Sequence, residues 1–317
     1  MPESKEAALA TLGRFHARAA SYISPATELA DPQPRNLYPC PATRLQPSVS
    51  PTSKANGPSV PDRFAFLVGS YAYEQEPKLK GLRGPPNDIA ALDAVLGDPQ
   101  IGGFVTQTSI NESSVTVLER IDGFLSDRQP DDVALLYFSG HGVKDSDGKL
   151  YFATANTRLT RLPSTALKSP DLNELLHRSR ARQKMLLLDC CYSGAFARGM
   201  HIRGGDSVGT HDYFDGRGHA VLTASDAIQY AFEDGLVQQH GEPAPQSIFT
   251  RVLVEGLASG SADRDGDRLV TFDELYDYVH EQVRNRTPNQ TPRKWALDQQ
   301  GRLIVARVVA TKLKAVS

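Results

Sequence analysis

The chain has 317 residues, 35 basic against 37 acidic for a formal charge of −2, with 40% apolar and 23% charged residues. That balance excludes wholesale disorder and leaves room for one large buried core or two small ones. The near-neutral charge offers no basic field for a nucleic-acid backbone, and no stretch approaches the ~18 uncharged apolar residues of a membrane helix. Three cysteines, two of them the neighbours Cys190 and Cys191, make no disulfide framework and fit a reducing compartment. With no basic segment followed by an apolar one at the N-terminus, the expectation is a cytoplasmic protein whose partners include neither nucleic acid nor membrane.

Residues 5–22 carry alanine, leucine and charge at spacings that predict a short amphipathic helix. From Pro25 to Pro61 the character changes: nine of the 21 prolines fall there with few large apolar residues. Proline lacks a donor and fixes its φ, so this segment reads as an extended linker, or a pro-segment lying across something else. A globular pattern opens at Arg63. Phe64–Gly69 is a strand-length apolar run, and Asn87/Asp88 read as the cap of a helix over Ile89–Leu96. Strands are predicted at Phe104–Thr108, Asp132–Phe138, Met185–Leu188 and Ala220–Ala224, with a last one at Leu303–Ala306. Helices are predicted at Glu112–Leu125, Ser169–Ser179, Ile248–Leu257 and Phe272–Val283. Continuous apolar strands alternating with amphipathic helices predict an α/β fold, with a mostly parallel sheet of about six strands sandwiched between helices. Arg198–Gly218, rich in Gly, His, Asp and Arg, breaks the rhythm, and a long aperiodic loop inside a domain is usually functional or mobile.

In open parallel sheets, sites lie beyond the carboxyl ends of the strands. Two strands here end in loaded sequences: one runs into Ser139-Gly140-His141-Gly142, another into Asp189-Cys190-Cys191-Tyr192-Ser193-Gly194. A histidine facing a cysteine across such a crevice can hold it as a thiolate and later protonate a leaving amine. The flanking glycines let a substrate backbone approach and free N–H groups to face a developing oxyanion.

YFSGHG followed about fifty residues later by LLLDCCYSG resembles the signature of the caspase-like cysteine peptidases, closest to their metacaspase, paracaspase and bacterial branch. The similarity spans about Arg63 to Val309 and includes LRGPPNDIAAL, LTAS and SIFTRVLVEGL. It implies a peptidase domain over 63–309, with a large part 63–197, a linker 198–218 and a small part 219–309, between an N-terminal segment 1–62 and a tail 310–317. By motif, His141 matches the catalytic base and acid and Cys191 the nucleophile, with Gly142 and Cys191 donating the oxyanion-hole N–H groups. Tyr192 stands where metacaspases usually carry His, as in many bacterial relatives. Asp189, Asp88 and Ser139 match the pocket for the P1 side chain, and Asp226 is a further candidate there. Carboxylates in such a pocket favour a basic P1, arginine before lysine. The basic Lys80 and Arg83 nearby keep open the acidic P1 of animal caspases.

The resemblance therefore implies a thiol protease, a hydrolase acting on proteins or peptides with basic P1. It points to a zymogen of prokaryotic type, with antiviral defence among the roles of such relatives. The alternative is a pseudoenzyme or adaptor of the same fold that binds a partner through its cleft; the intact His–Cys pair speaks against it. Arg198, Arg203 and Arg217 are candidate processing sites, for the protein itself or an upstream activating protease. No cofactor is required by this chemistry. Asp263, Asp265, Asp267 and Glu274 fit positions 1, 3, 5 and 12 of a Ca2+ loop, but Arg268 stands where position 6 demands glycine, so the acidic run reads as an ordinary connection first and a Ca2+ site second.

Overall fold

Apolar runs too continuous for a sheet with one wet face become the buried strands of a two-sided sandwich. The computed structural model describes residues 62–190, 219–224, 246–288, 290–297 and 301–309. The segments 5–22, Pro25–Pro61 and Arg198–Gly218 lie outside these. The first half contributes β1 (Arg63–Gly69), α1 (Pro85–Gly97), β2 (Val105–Ile110), α2 (Ser114–Ser126) and β3 (Val133–Ser139). A small antiparallel sheet follows, of β4 (Gly142–Lys144), β5 (Leu150–Phe152) and β6 (Leu167–Lys168), with a helical turn α3 (Leu162–Thr165) before its last strand. Then come α4 (Ser169–Arg178), β7 (Gln183–Asp189), β8 (His219–Thr223), α5 (Ile248–Ser259), β9 (Leu269–Thr271), α6 (Phe272–Arg286), β10 (Arg293–Leu297) and β11 (Ile304–Arg307).

The main sheet has six strands in the order β10-β8-β7-β3-β1-β2. All its neighbours are parallel except β10, which runs antiparallel along the outer edge of β8. The period of two along each strand sorts the core. Leu67, Leu135, Tyr137, Leu187 and Leu222 face α1, α5 and α6, whereas Phe66, Leu136, Leu186 and Val221 face α2 and α4. At about 1.5–3 kcal/mol for each large apolar side chain buried, these two layers drive the assembly of the sandwich.

Two readings of the sequence are corrected. Helix α1 starts at Pro85, its N-cap is Gly84, and no side chain caps it. Two prolines fill the first turn, where missing N–H groups cost nothing, so Asp88 sits inside the helix with its carboxylate released from capping. Leu303–Ala306 is not a strand of the main sheet, since β11 pairs antiparallel with β9 in a separate two-stranded sheet. The sixth position belongs instead to β10, whose sequence RKWAL has the mixed polarity of an edge.

Candidate active site

The strand ends expected to carry chemistry are neighbours in register, with Ser139 opposite Asp189. Beyond them the Gly140 N–H donates to the Asp189 carbonyl at 3.2 Å, and the Ser70 N–H to the Ser139 carbonyl at 2.9 Å. A Cβ on Gly140 would lie 3.0 Å from Phe138 Cζ and 3.1 Å from the Ser70 carbonyl, which explains glycine between the strand and His141. Cys190 follows Leu188 onto the α2/α4 face, where it is buried in the core.

His141 is half-buried and held from two sides. Its Nε2 lies 2.9 Å from the Lys80 carbonyl. A carbonyl only accepts, so Nε2 carries the hydrogen and a neutral ring keeps Nδ1 as its basic nitrogen. Its backbone N–H donates to the Tyr73 hydroxyl at 3.2 Å, and that hydroxyl donates to the Ser70 carbonyl at 2.8 Å. The Tyr73 ring lies tilted against the imidazole, 5.1 Å between centroids, and burial pushes its hydroxyl pKa up to about 12. Tyr73 and Lys80 both sit on the loop from β1 to α1. Asn111 Oδ1 anchors that loop by accepting from the Tyr71 and Ala72 N–H groups. Glu76 anchors it again by accepting the Leu159 N–H at 2.8 Å.

The same period of two that turns Tyr137 toward α5 turns Ser139 and Asp189 to that side as well. There the structure brings three of the predicted residues into one buried cluster. Ser139 Oγ donates to Asp88 Oδ2 at 3.0 Å. The backbone N–H of Ser247, the N-cap of α5, donates to Asp88 Oδ1 at 2.8 Å, while its hydroxyl donates to Asp189 Oδ2. Thr250 Oγ1 donates to the same Asp189 oxygen at 2.7 Å and lies 2.6 Å from the Tyr137 hydroxyl. Asp88 is fully buried and Asp189 is 3% exposed. Burial pushes the Asp189 carboxyl up, and the hydrogen bonds from Ser247 and Thr250 pull it back toward the charged form. Burial and then the two carboxylates hold the Tyr137 hydroxyl well above its ordinary pKa.

Gly142 opens β4 and is buried. Lys80 and Arg83 are exposed; charged side chains buried in this cluster are carboxylates. Cys191, Asp226, Arg198, Arg203 and Arg217 lie outside the described residues. In the acidic turn, carboxylate oxygens of Asp263, Asp265 and Asp267 lie within 4.8 Å of one another. The Arg302 guanidinium reaches Asp267 at 2.7 Å and Asp265 at 3.7 Å, holding the Asp267 carboxyl below its usual range. The sharp turn expected to need glycine is made by Arg268 itself, at φ 68°.

Sequence reasoning missed Tyr73, the Lys80 carbonyl, Ser247 and Thr250. A carbonyl's role has no signature in residue type. Ser247-Ile-Phe-Thr250 did carry one, a serine immediately before an apolar helical run with a hydroxyl three residues on.

The sequence matches the caspase domain family over residues 62–302. No curated protein sequence matches it. Among solved structures the fold is similar to caspase-1 from Spodoptera frugiperda, at TM-score 0.54 and 14% identity, covering 82% of this chain and 97% of that one. It is also similar to protein GSU0716 from Geobacter sulfurreducens, at TM-score 0.53 and 17% identity, covering 76% of this chain and 95% of that one.

Proposed function

Since the chain belongs to the caspase domain family, whose fold is that of cysteine peptidases, we propose that it is an endopeptidase cutting proteins after arginine or lysine with a His141–Cys191 dyad. The observation that carries the basic preference is the buried, hydrogen-bonded pair Asp88 and Asp189 beside the strand end that bears His141. Two buried carboxylates are costly unless a cation compensates them, and a P1 guanidinium or ammonium supplies it.

The reaction follows from the placement of the imidazole. With Nε2–H committed to the Lys80 carbonyl, Nδ1 takes the proton of the Cys191 thiol. The thiolate attacks the scissile carbonyl, and the N–H groups of Gly142 and Cys191 receive the oxyanion. The imidazolium returns its proton to the leaving amine, the peptide bond breaks, and a thioester remains. Water deprotonated by the same nitrogen hydrolyses that thioester and frees the thiol. Such an enzyme calls for restraint inside a cell, and cleavage at Arg198, Arg203 or Arg217 is the proposed release.

Fluorogenic peptides ending in Arg, Lys or Asp test the proposal against the parent chain, Cys191→Ala and His141→Ala. Expected is turnover in the order Arg, Lys, Asp, with each substitution lowering it by roughly a thousandfold or more. Comparable turnover by Cys191→Ala refutes the dyad, and a preference for Asp refutes the pocket.

A further inference from the structure

The four carboxylate oxygens of the acidic pair are not equivalent. Both oxygens of Asp88 accept protein donors, Oδ1 from the Ser247 N–H at 2.8 Å and Oδ2 from Ser139 at 3.0 Å. Asp189 is used one-sidedly. Its Oδ2 accepts two hydroxyls, Ser247 and Thr250, while its Oδ1 is buried with no hydrogen-bond partner among the described residues. A bare carboxylate oxygen in a buried site costs free energy unless something fills its place.

The two hydroxyls also have no choice of direction. Ser247 Oγ already accepts the Thr250 N–H at 3.0 Å, so its proton is left for Asp189. Thr250 Oγ1 lies 2.6 Å from the Tyr137 hydroxyl. Once Thr250 gives its only proton to Asp189, Tyr137 must be the donor in that contact. Thr250 is fully buried, and its branched Cβ leaves it little rotamer freedom in a helix. Asp189 is thus gripped by Oδ2 at fixed orientation from α5, an element far along the chain from the strand that bears it.

We propose that Thr250, together with Ser247, is a positioning residue for P1 recognition: the two hydroxyls hold Asp189 by Oδ2 so that Oδ1 is the oxygen that receives the substrate's basic side chain. This rests on the basic-P1 reading above and assigns the roles within it. Asp189 contacts the cation through Oδ1, and Asp88 supports the frame by holding the Ser247 and Ser139 groups in place. The helix does not need the Thr250 hydroxyl, because its cap is made by Ser247, so the hydroxyl serves its contacts with Asp189 and Tyr137 and not the helix itself.

The test uses the full chain carrying Cys191→Ala, which binds without cutting, and two hexapeptides that differ only in Arg or Leu at P1. Calorimetry on this background should show the Arg peptide bound more tightly than the Leu peptide. Adding Thr250→Val, nearly the same volume without the hydroxyl, should weaken the Arg peptide about tenfold or more, the range for a hydrogen bond to a charged group. The Leu peptide should be unaffected, and Thr250→Ser should restore most of the Arg affinity. Melting curves of each variant establish that they are folded. If Thr250→Val binds the Arg peptide like its parent, or weakens both peptides equally, the positioning role is wrong while the basic pocket stands. A parent that does not prefer Arg over Leu overturns the pocket and this inference together. Intact binding behaviour alongside a Cys191 chain that cuts nothing would refute the peptidase activity and leave the inference standing.

Discussion

Replacing Tyr73 by Phe removes one oxygen from the frame of His141 and leaves the rest of the ring in place. The tilted contact with the imidazole, at 5.1 Å, survives the change. Two hydrogen bonds do not: the hydroxyl accepts the His141 backbone N–H at 3.2 Å and donates to the Ser70 carbonyl at 2.8 Å. Tyr73 is only 4% exposed, so water replaces neither bond easily. At about 1 kcal/mol for each of the two neutral bonds, the loss is about 2 kcal/mol. For a domain of this size that lowers Tm by roughly 4–8 °C. In the proposed peptidase, catalysis would suffer separately, because the strand end carrying His141 loses an anchor and the imidazole would have to stay within a fraction of an ångström of its working position. About a tenfold fall in kcat is expected. KM for an Arg peptide should hold, since Tyr73 makes no bond to Asp88 or Asp189. Calorimetric melting and steady-state turnover read the two effects independently. A Tyr73→Phe enzyme with parental Tm and parental kcat would show that the hydroxyl anchors nothing.

Two further outcomes follow from strained or desolvated groups. His219 is buried at the start of β8, and burial, then Lys184 and His177, press its pKa down to about 4 from 6.5. The folded protein therefore binds fewer protons there than the unfolded chain, so stability held above pH ~6.5 drains away as pH falls toward ~4, by up to about 3 kcal/mol. His219→Asn should flatten that part of a urea-midpoint profile against pH, and an unchanged slope would count against the assignment. Arg268 adopts φ 68° in the acidic turn, a conformation costing a side-chain-bearing residue about 1 kcal/mol. Arg268→Gly keeps the 3.0 Å bond from its N–H to Asp263 and should raise the urea midpoint by up to about 1 kcal/mol of stability; a clear drop would show that the turn is unstrained.

The inner strands were legible because burial on both faces leaves a continuous apolar run, as in the LLL of β7 or the ALLYF of β3. The edge was not, because β10 is half exposed and its RKWAL carries no alternation or apolar run to announce it. Leu303–Ala306 misled for the opposite reason. Its apolar residues do pack into the α1/α5/α6 layer, but through a separate pairing with β9. At the site, residues with a chemical signature could be named in advance. Asp88 and Ser139 are 51 positions apart, and their contact follows from the parallel order of β1 and β3 together with α1 returning over the sheet. Ser247 and Thr250 stayed hidden because a hydroxyl at a helix start normally caps the helix. That Ser247 also reaches two carboxylates depends on where tertiary packing sets α5.

The order β10-β8-β7-β3-β1-β2 divides the sheet by chain position: four strands precede residue 190 and two follow residue 218. Helix α5, whose hydroxyls grip Asp189, belongs to the second group. A single cut between Asp189 and His219 therefore changes the physics of stability without breaking any contact described here. In the uncut chain the two groups of strands stay covalently joined, however dilute the protein. The cut protein becomes a heterodimer whose integrity obeys mass action. Diluted below the dissociation constant of its halves, it would lose Ser247 and Thr250 from Asp189, together with the core the two halves share.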